Sequence, residues 1–223
     1  MSENEYETWI DLSRNIPGQN ILHKADLLKR QSINESVIRY YLDRFNDKKT
    51  KERSYRIGAN GEVFVGSQLN SLRESGWHVL HSIPSGKRYA DIDHLLIGPG
   101  GVWTVNTKHH PNAHIRVSRN QIHVNGRPYK YIQFSENEAT RVSKLFSEKL
   151  NTQIPVKPAI VILNDEAIPN FHYYSLPENV VVLSSLDFLQ FFQKLGSVMS
   201  DELLGSIFNI ARRSTTWKPL HSI

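Results

Sequence analysis

Hydrophobic and polar positions fall into blocks along the chain, and the spacing inside each block sets what it predicts. Ile38, Tyr41, Leu42 and Phe45 recur at helical spacing, giving residues 1–55 one apolar stripe. So short a piece carries no core of its own, and we read it as a helical extension that must dock on something. Asp47–Arg56 (DKKTKERSYR) follows as a polar, mostly basic connector. A solvated linker is the simple reading, and a phosphate-contacting arm the sharper one. The main domain then opens at Gly58–Glu62 (GANGE) and extends to Trp217, leaving residues 218–223 as a tail. A helix is predicted from Glu62 to about Glu74, stopping at Gly76, with Val65 and Leu69 on the face of Glu62.

Trp77–Pro84 reads as a strand, SGKRYA as a loop, and Asp91–Lys108 (DIDHLLIGPGGVWTVNTK) as a hairpin of two apolar runs hinged on Gly-Pro-Gly-Gly. His114–Val117 and Gln121–Gly126 predict a second, more exposed hairpin. Glu136–Leu150 is an amphipathic pattern whose Ala139, Val142, Phe146 and Leu150 face inward. Pro158–Leu163 and Asn179–Leu183 are unbroken apolar runs, as in strands covered on both faces. Ser184 and Ser185 can cap a helix that ends before Gly196. Ser200, followed by Asp201 and Glu202, starts another that closes on Arg212–Arg213, matching the helix dipole at both ends. The alternation predicts an α/β fold: a mixed β-sheet core flanked by helices, with an N-terminal helical extension.

The rim of the first hairpin changes the picture. With Pro99 and Gly100 as a two-residue loop, Gly98 pairs with Gly101 and, by continuation, Asp93 faces Asn106 and Asp91 faces Lys108. Opposed side chains on one face lie roughly 4.5–5.5 Å apart at Cβ. Four polar groups therefore meet at one end of the hairpin, while Leu95, Ile97, Val102 and Thr104 continue that face inward. A one-residue bulge would break this grouping. The plain alternative is a solvated rim with an ordinary Asp91–Lys108 ion pair. Oxygens at this spacing can also hold a hard divalent cation, with Lys108 orienting water or meeting charge on a phosphate. Glu62, on the inner face of the preceding helix, is available as a third ligand; an acid in a helix's first turn is its ordinary explanation.

Composition narrows the partners. The net charge is +5 with a sequence pI near 9.3, which tilts toward polyanions, although a slightly basic enzyme fits equally. Cysteine is absent, which removes disulfides, thiolate nucleophiles and Cys-ligated zinc. No apolar run approaches the roughly 20 residues of a bilayer helix, and the polar start is unlike a signal peptide. The expectation is a cytoplasmic protein with no membrane partner.

GANGE, DIDHLLIGPGGVWTVNTKHH, VNGRPYKYIQFSENEA and the closing ARRSTTW together resemble the nuclease-related domain (NERD) family of the PD-(D/E)XK nuclease superfamily, including endings of bacterial members. The likeness spans roughly Arg56 to Trp217. It implies a restriction-endonuclease-like fold that hydrolyses phosphodiester bonds with Mg²⁺ or Mn²⁺. By matching position, Glu62 is the helix glutamate, Asp93 the metal-binding aspartate, Asn106 stands in the Asp/Glu place, and Lys108 is the lysine. The implied catalytic set is Glu62, Asp93, Asn106 and Lys108, and the implied metal ligands are Glu62, Asp93 and Asn106. Two departures stand out: the proline before the motif aspartate is missing, the segment being Ala90-Asp91-Ile92-Asp93, and Asn106 brings no charge and cannot act as a base. An amide there weakens metal affinity, and Asp91 could supply the missing charge.

Other groups are weaker signals. Lys87, Arg88, His109 and His110 are candidates for nucleic-acid contact, with plain solvation as the alternative. His110 and His114 have Pro111 between them and no Cys partner, so a dedicated zinc site is not expected. Tyr129 and Tyr131 could stack on bases, although strand-edge packing explains such pairs more often. There is neither a Walker loop nor a G-x-S-x-G turn. The leading expectation is a metal-dependent nuclease acting on DNA, in DNA processing or defence. The alternative is a weak or inactive nucleic-acid-binding or scaffolding module on the same fold. A third expectation is a protein partner, or a second copy of the chain, recognised through the N-terminal helical region.

Overall fold

The computed structural model describes residues 8–35, 51–85, 91–164 and 170–217. Ile38, Tyr41, Leu42 and Phe45, like Lys87 and Arg88, lie outside the described residues. In chain order the elements are a 3-10 turn (Leu12–Arg14), α1 (Gln19–Glu35), α2 (Lys51–Leu69), a 3-10 stretch (Asn70–Ser75), β1 (His78–Ile83), β2 (Ile92–Gly98) and β3 (Gly101–His109). There follow β4 (Ile115–Val117), β5 (Ile122–Val124), β6 (Arg127–Tyr129), α3 (Tyr131–Leu150), β7 (Val156–Leu163), β8 (Phe171–Tyr173), β9 (Val181–Ser184), α4 (Phe188–Gln193), α5 (Asp201–Ala211) and a 3-10 turn (Ser214–Trp217). Among the described residues no helix is long and apolar enough to cross a membrane.

The reversal at Pro99–Gly100 organises the larger sheet. Gly98 pairs with Gly101 and His94 with Val105, the register predicted from the turn. β1 joins the free edge of β2 antiparallel, and β7 and β9 add parallel beyond β3, so the order is β1-β2-β3-β7-β9. The sheet is mixed because a two-residue turn can only reverse a strand, whereas the long excursion through α3 returns parallel. A smaller sheet, β6-β5-β4-β8, includes the second hairpin. That hairpin is less exposed than predicted, since Ile115, Val117 and Ile122 are buried with Ile160 and Ile162 of the larger sheet. One face of the large sheet packs α3 and α5 through Leu95, Ile97, Val142, Phe146 and Ile207. The other packs α2 and α4 through Val65, Leu69, Leu96, Val105, Phe188 and Phe192.

Three boundaries differ from the sequence reading. α2 starts at Lys51, so residues 51–56 are its opening turns and not a linker. Gly61 and Gly66 lie inside this helix, each costing about 1 kcal/mol against Ala. Packing uses the missing side chains: a Cβ at Gly61 would lie 2.8 Å from His109 Cβ on β3, and one at Gly66 2.4 Å from Pro17 Cβ. The helix passes into 3-10 form at Asn70, and Gly76 (φ 81°) ends it as predicted. α3 begins at Tyr131, five residues before the predicted start. Ser184 and Ser185 do not cap α4 directly; Asp187 takes the N-cap position and receives the Ser184 hydroxyl at 2.6 Å. Ser200 does cap α5, accepting from Leu203 N–H.

The N-terminal segment is woven into the fold. Leu12 is buried among Ile83, Phe146 and Trp217, and its N–H donates to Arg212 O at 2.7 Å. Asp11 bridges to Arg213 and pairs with Arg212 at 2.8 Å. Trp217 closes the clasp, donating Nε1–H to Ala211 O at 2.8 Å.

Two histidines supply a polar thread through the core. His81 and His94 are buried with their Nδ1 atoms 2.9 Å apart. Asn70 Oδ1 accepts at 3.1 Å from His81 Nε2–H, so His81 Nδ1 accepts from His94 and His94 Nε2 accepts from the Thr107 hydroxyl at 3.2 Å. Burial, then the nearby Arg73 charge, push His81 down to about 4.

Two outcomes follow from this packing. Leu12→Ala should cost about 2–5 kcal/mol in urea unfolding; no loss would make the segment an appendage after all. The His81 effect has a definite sign. An unfolded imidazole takes its proton near pH 6.5 and the folded one only near 4, so its contribution is complete above pH 6.5 and is lost as pH falls toward 4. Glu62 and Glu138, held high by burial, act oppositely over overlapping ranges. The test is therefore the difference between wild type and His81→Asn, which should shrink by roughly 3 kcal/mol between pH 7 and 4. A pH-independent difference would refute it.

Candidate functional site

Strand pairing lapses around Asp93, and a cleft opens there. The β2–β3 ladder stops at His94–Val105, and the Asp93 carboxylate accepts from Thr107 N–H at 2.8 Å. On the other edge of β2, Ser82 lies between the His81–His94 and Ile83–Ile92 pairs with φ 47°. Its carbonyl turns to the side-chain amides of Asn15 and Asn20, each at 3.1 Å. The N-terminal segment thus satisfies the backbone group that the irregularity would strand.

The predicted four converge on this cleft. Lys108 Nζ is 4.0 Å from Asp93 Oδ2 and 3.5 Å from Asn106 Oδ1, and it stands 5.6 Å over the Tyr131 ring. Glu62 reaches in from α2, 4% exposed, and hydrogen-bonds Asp93. Burial, then the Asp93 charge, push the Glu62 carboxyl up to about 9. Asp93 is raised by burial, against the opposing pull of Lys108 and Thr107 N–H. Asp91 does not make the cross-strand pair with Lys108. It binds Lys24 of α1 at 3.1 Å, because α1 lies along the mouth of the cleft. The cleft holds about 430 Å³ and counts Asn20, Lys24, Asp91, Lys108, His110 and Tyr131 among its walls.

Sequence reasoning missed Glu138. It is buried on α3, and Asn106 Nδ2 donates to its Oε1 at 2.8 Å. Burial, then the Asp93 charge, raise it to about 7. The signal was present: Glu138 falls four residues before Val142 and eight before Phe146, on the apolar stripe itself. A carboxylate on that stripe needs a partner inside the fold.

His109 and His110 line the cleft. His109 Nδ1 is 2.8 Å from Ile57 O, and His110 Nε2 is 3.0 Å from Tyr131 Oη. Tyr129 and Tyr131 stack with centroids 4.9 Å apart, with Tyr131 on α3 and not on a strand edge. His114 pairs its ring with His172, 5.2 Å away. Among the described residues no group of three or more His, Asp or Glu is arranged to hold a metal ion. What the cleft offers a cation is the Glu62 and Asp93 carboxylates and the Asn106 amide oxygen. These are hard donors, and the first two hydrogen-bond each other. The set fits Mg²⁺ or Mn²⁺, which keeps several positions for water and phosphate oxygens.

A family model described as the nuclease-related domain (NERD) matches residues 57–163, from α2 to the end of β7, a span that contains Glu62, Asp93, Asn106, Lys108 and Glu138. No curated protein and no solved structure matches. Residues 57–163, just under half of the chain, are therefore similar to the nuclease-related domain family.

Proposed function

We propose that the cleft hydrolyses phosphodiester bonds of DNA with the help of Mg²⁺ or Mn²⁺, in DNA processing or defence. The observation that carries this reading is the meeting of Glu62, Asp93, Asn106 and Lys108 at one cleft inside a nuclease-related domain. Glu62, Asp93 and the Asn106 amide oxygen would hold the cation. When bound, it supplies Lewis-acid polarisation of the phosphoryl oxygen and a more acidic water.

The chain's own groups do the rest. Thr107 N–H holds the Asp93 carboxylate in place through Oδ2. The Lys108 ammonium stands ready to meet negative charge as it builds on the phosphorane, or to orient the attacking water. Lys24, His109 and His110, which line the cleft, would contact flanking phosphates; the same role is proposed for Lys87 and Arg88 from the sequence alone. In this reading residues 56–217 form the nuclease domain, and the N-terminal segment contributes a wall of its cleft.

Asn106 favours a second reading, a nucleic-acid-binding module without turnover, because an amide contributes no charge to the cation. Cleavage decides between them. Lys108→Ala should lower Mg²⁺- or Mn²⁺-dependent DNA cleavage by at least about 100-fold while circular dichroism and the unfolding midpoint stay near wild type. A mutant that cuts like wild type would place the chemistry elsewhere. A wild type that binds DNA in a salt-sensitive way, yet cuts with no divalent ion, would establish the second reading.

A further inference from the structure

The identity of residue 106 and that of residue 138 make sense only together. Asn106 has its amide nitrogen on the Glu138 carboxylate at 2.8 Å and its oxygen toward Lys108 Nζ at 3.5 Å. A carboxylate only accepts and an ammonium only donates, so the flipped amide would set oxygen against oxygen and NH₂ against NH₃⁺. Both neighbours therefore enforce one orientation, with the amide oxygen presented to the cleft. Glu138 is 5% exposed, on the stripe of α3 that otherwise buries Ala139, Val142 and Phe146. A carboxylate there is retained against a desolvation cost of several kcal/mol.

We infer that Glu138 supplies the negative charge missing from residue 106, acting at one remove through the Asn106 amide, which it orients toward the cation seat. Glu138 is a positioning residue in this scheme, and the inference rests on the metal-site reading above. It also explains why residue 106 is an amide. An aspartate at that point would bring two carboxylates within hydrogen-bonding distance in a buried place, where like charges repel strongly. Asn106→Asp is therefore not a repair of the motif, although sequence logic makes it look like one.

A double-mutant cycle tests the pair: wild type, Asn106→Asp, Glu138→Gln and the double variant. Thermal unfolding is followed without metal, and Mn²⁺ binding by calorimetry. Glu138→Gln should weaken Mn²⁺ binding about ten-fold or more, the usual effect of removing a group that orients a ligand. Asn106→Asp alone should lower the metal-free melting temperature and fail to tighten Mn²⁺. The double variant should recover both, because the amide introduced at 138 can donate to the carboxylate introduced at 106. If wild type binds Mn²⁺ and Glu138→Gln binds it equally well, the inference fails while the site stands. An Asn106→Asp protein that is as stable as wild type and binds Mn²⁺ more tightly overturns it too. A wild type that binds no Mn²⁺ overturns the metal-site reading, and this inference with it.

Discussion

Between Gly98 and Gly101 the chain turns back on itself in two residues, and that turn fixes which side chains of β2 and β3 share a face. Because alternate residues of a strand point to opposite faces, one slipped pairing would exchange every core residue of the hairpin with its neighbours on the other side. Leu95, Ile97 and Val102 would leave the core that contains Phe146, and Asp93, Asn106 and Lys108 would no longer look onto the same cleft. Gly98 guards that register in a second way. A Cβ on it would lie 2.5 Å from the Trp77 ring, so only glycine lets the indole close over the turn. The apolar packing of the sheet and the convergence of its polar rim are one constraint seen from two ends.

Around that constraint, the site is assembled by close approach. Gly61 lets α2 settle on His109 and Thr107 of β3, and Glu62 is the next residue along. Its buried carboxyl hydrogen-bonds Asp93. Glycines that weaken a helix as an isolated element thus strengthen its contact with the sheet. The same logic holds for Ser82, whose irregular backbone is tolerated because Asn15 and Asn20 satisfy its carbonyl.

Local signals made much of this legible in the sequence. The turn gave the register, periodicity gave the inward residues of α3 and the strands β7 and β9, and Ser200 gave the start of α5. What stayed hidden was set by tertiary contact. The start of α2 was obscured because glycine has low helix propensity and its packing role is visible only once β3 is in place. Lys24 could not be paired with Asp91 before α1 was known to lie along the cleft. Glu138 escaped notice because charge was assumed to mark the solvent side of an amphipathic helix. The embedding of Leu12 was invisible for a similar reason: one leucine in a polar segment has no period.

α3 is an unbroken rod from Tyr131 to Leu150. At one end Tyr131 stands beneath the Lys108 ammonium, and two turns on is Glu138. Further along, Phe146 meets the edge of Trp217 with ring centroids 5.6 Å apart. A helix carries displacement along its axis better than it absorbs it. The tryptophan near the end of the described chain and the aromatic wall of the cleft are therefore mechanically joined, so loosening the far anchor would be felt as a misplaced tyrosine in that wall.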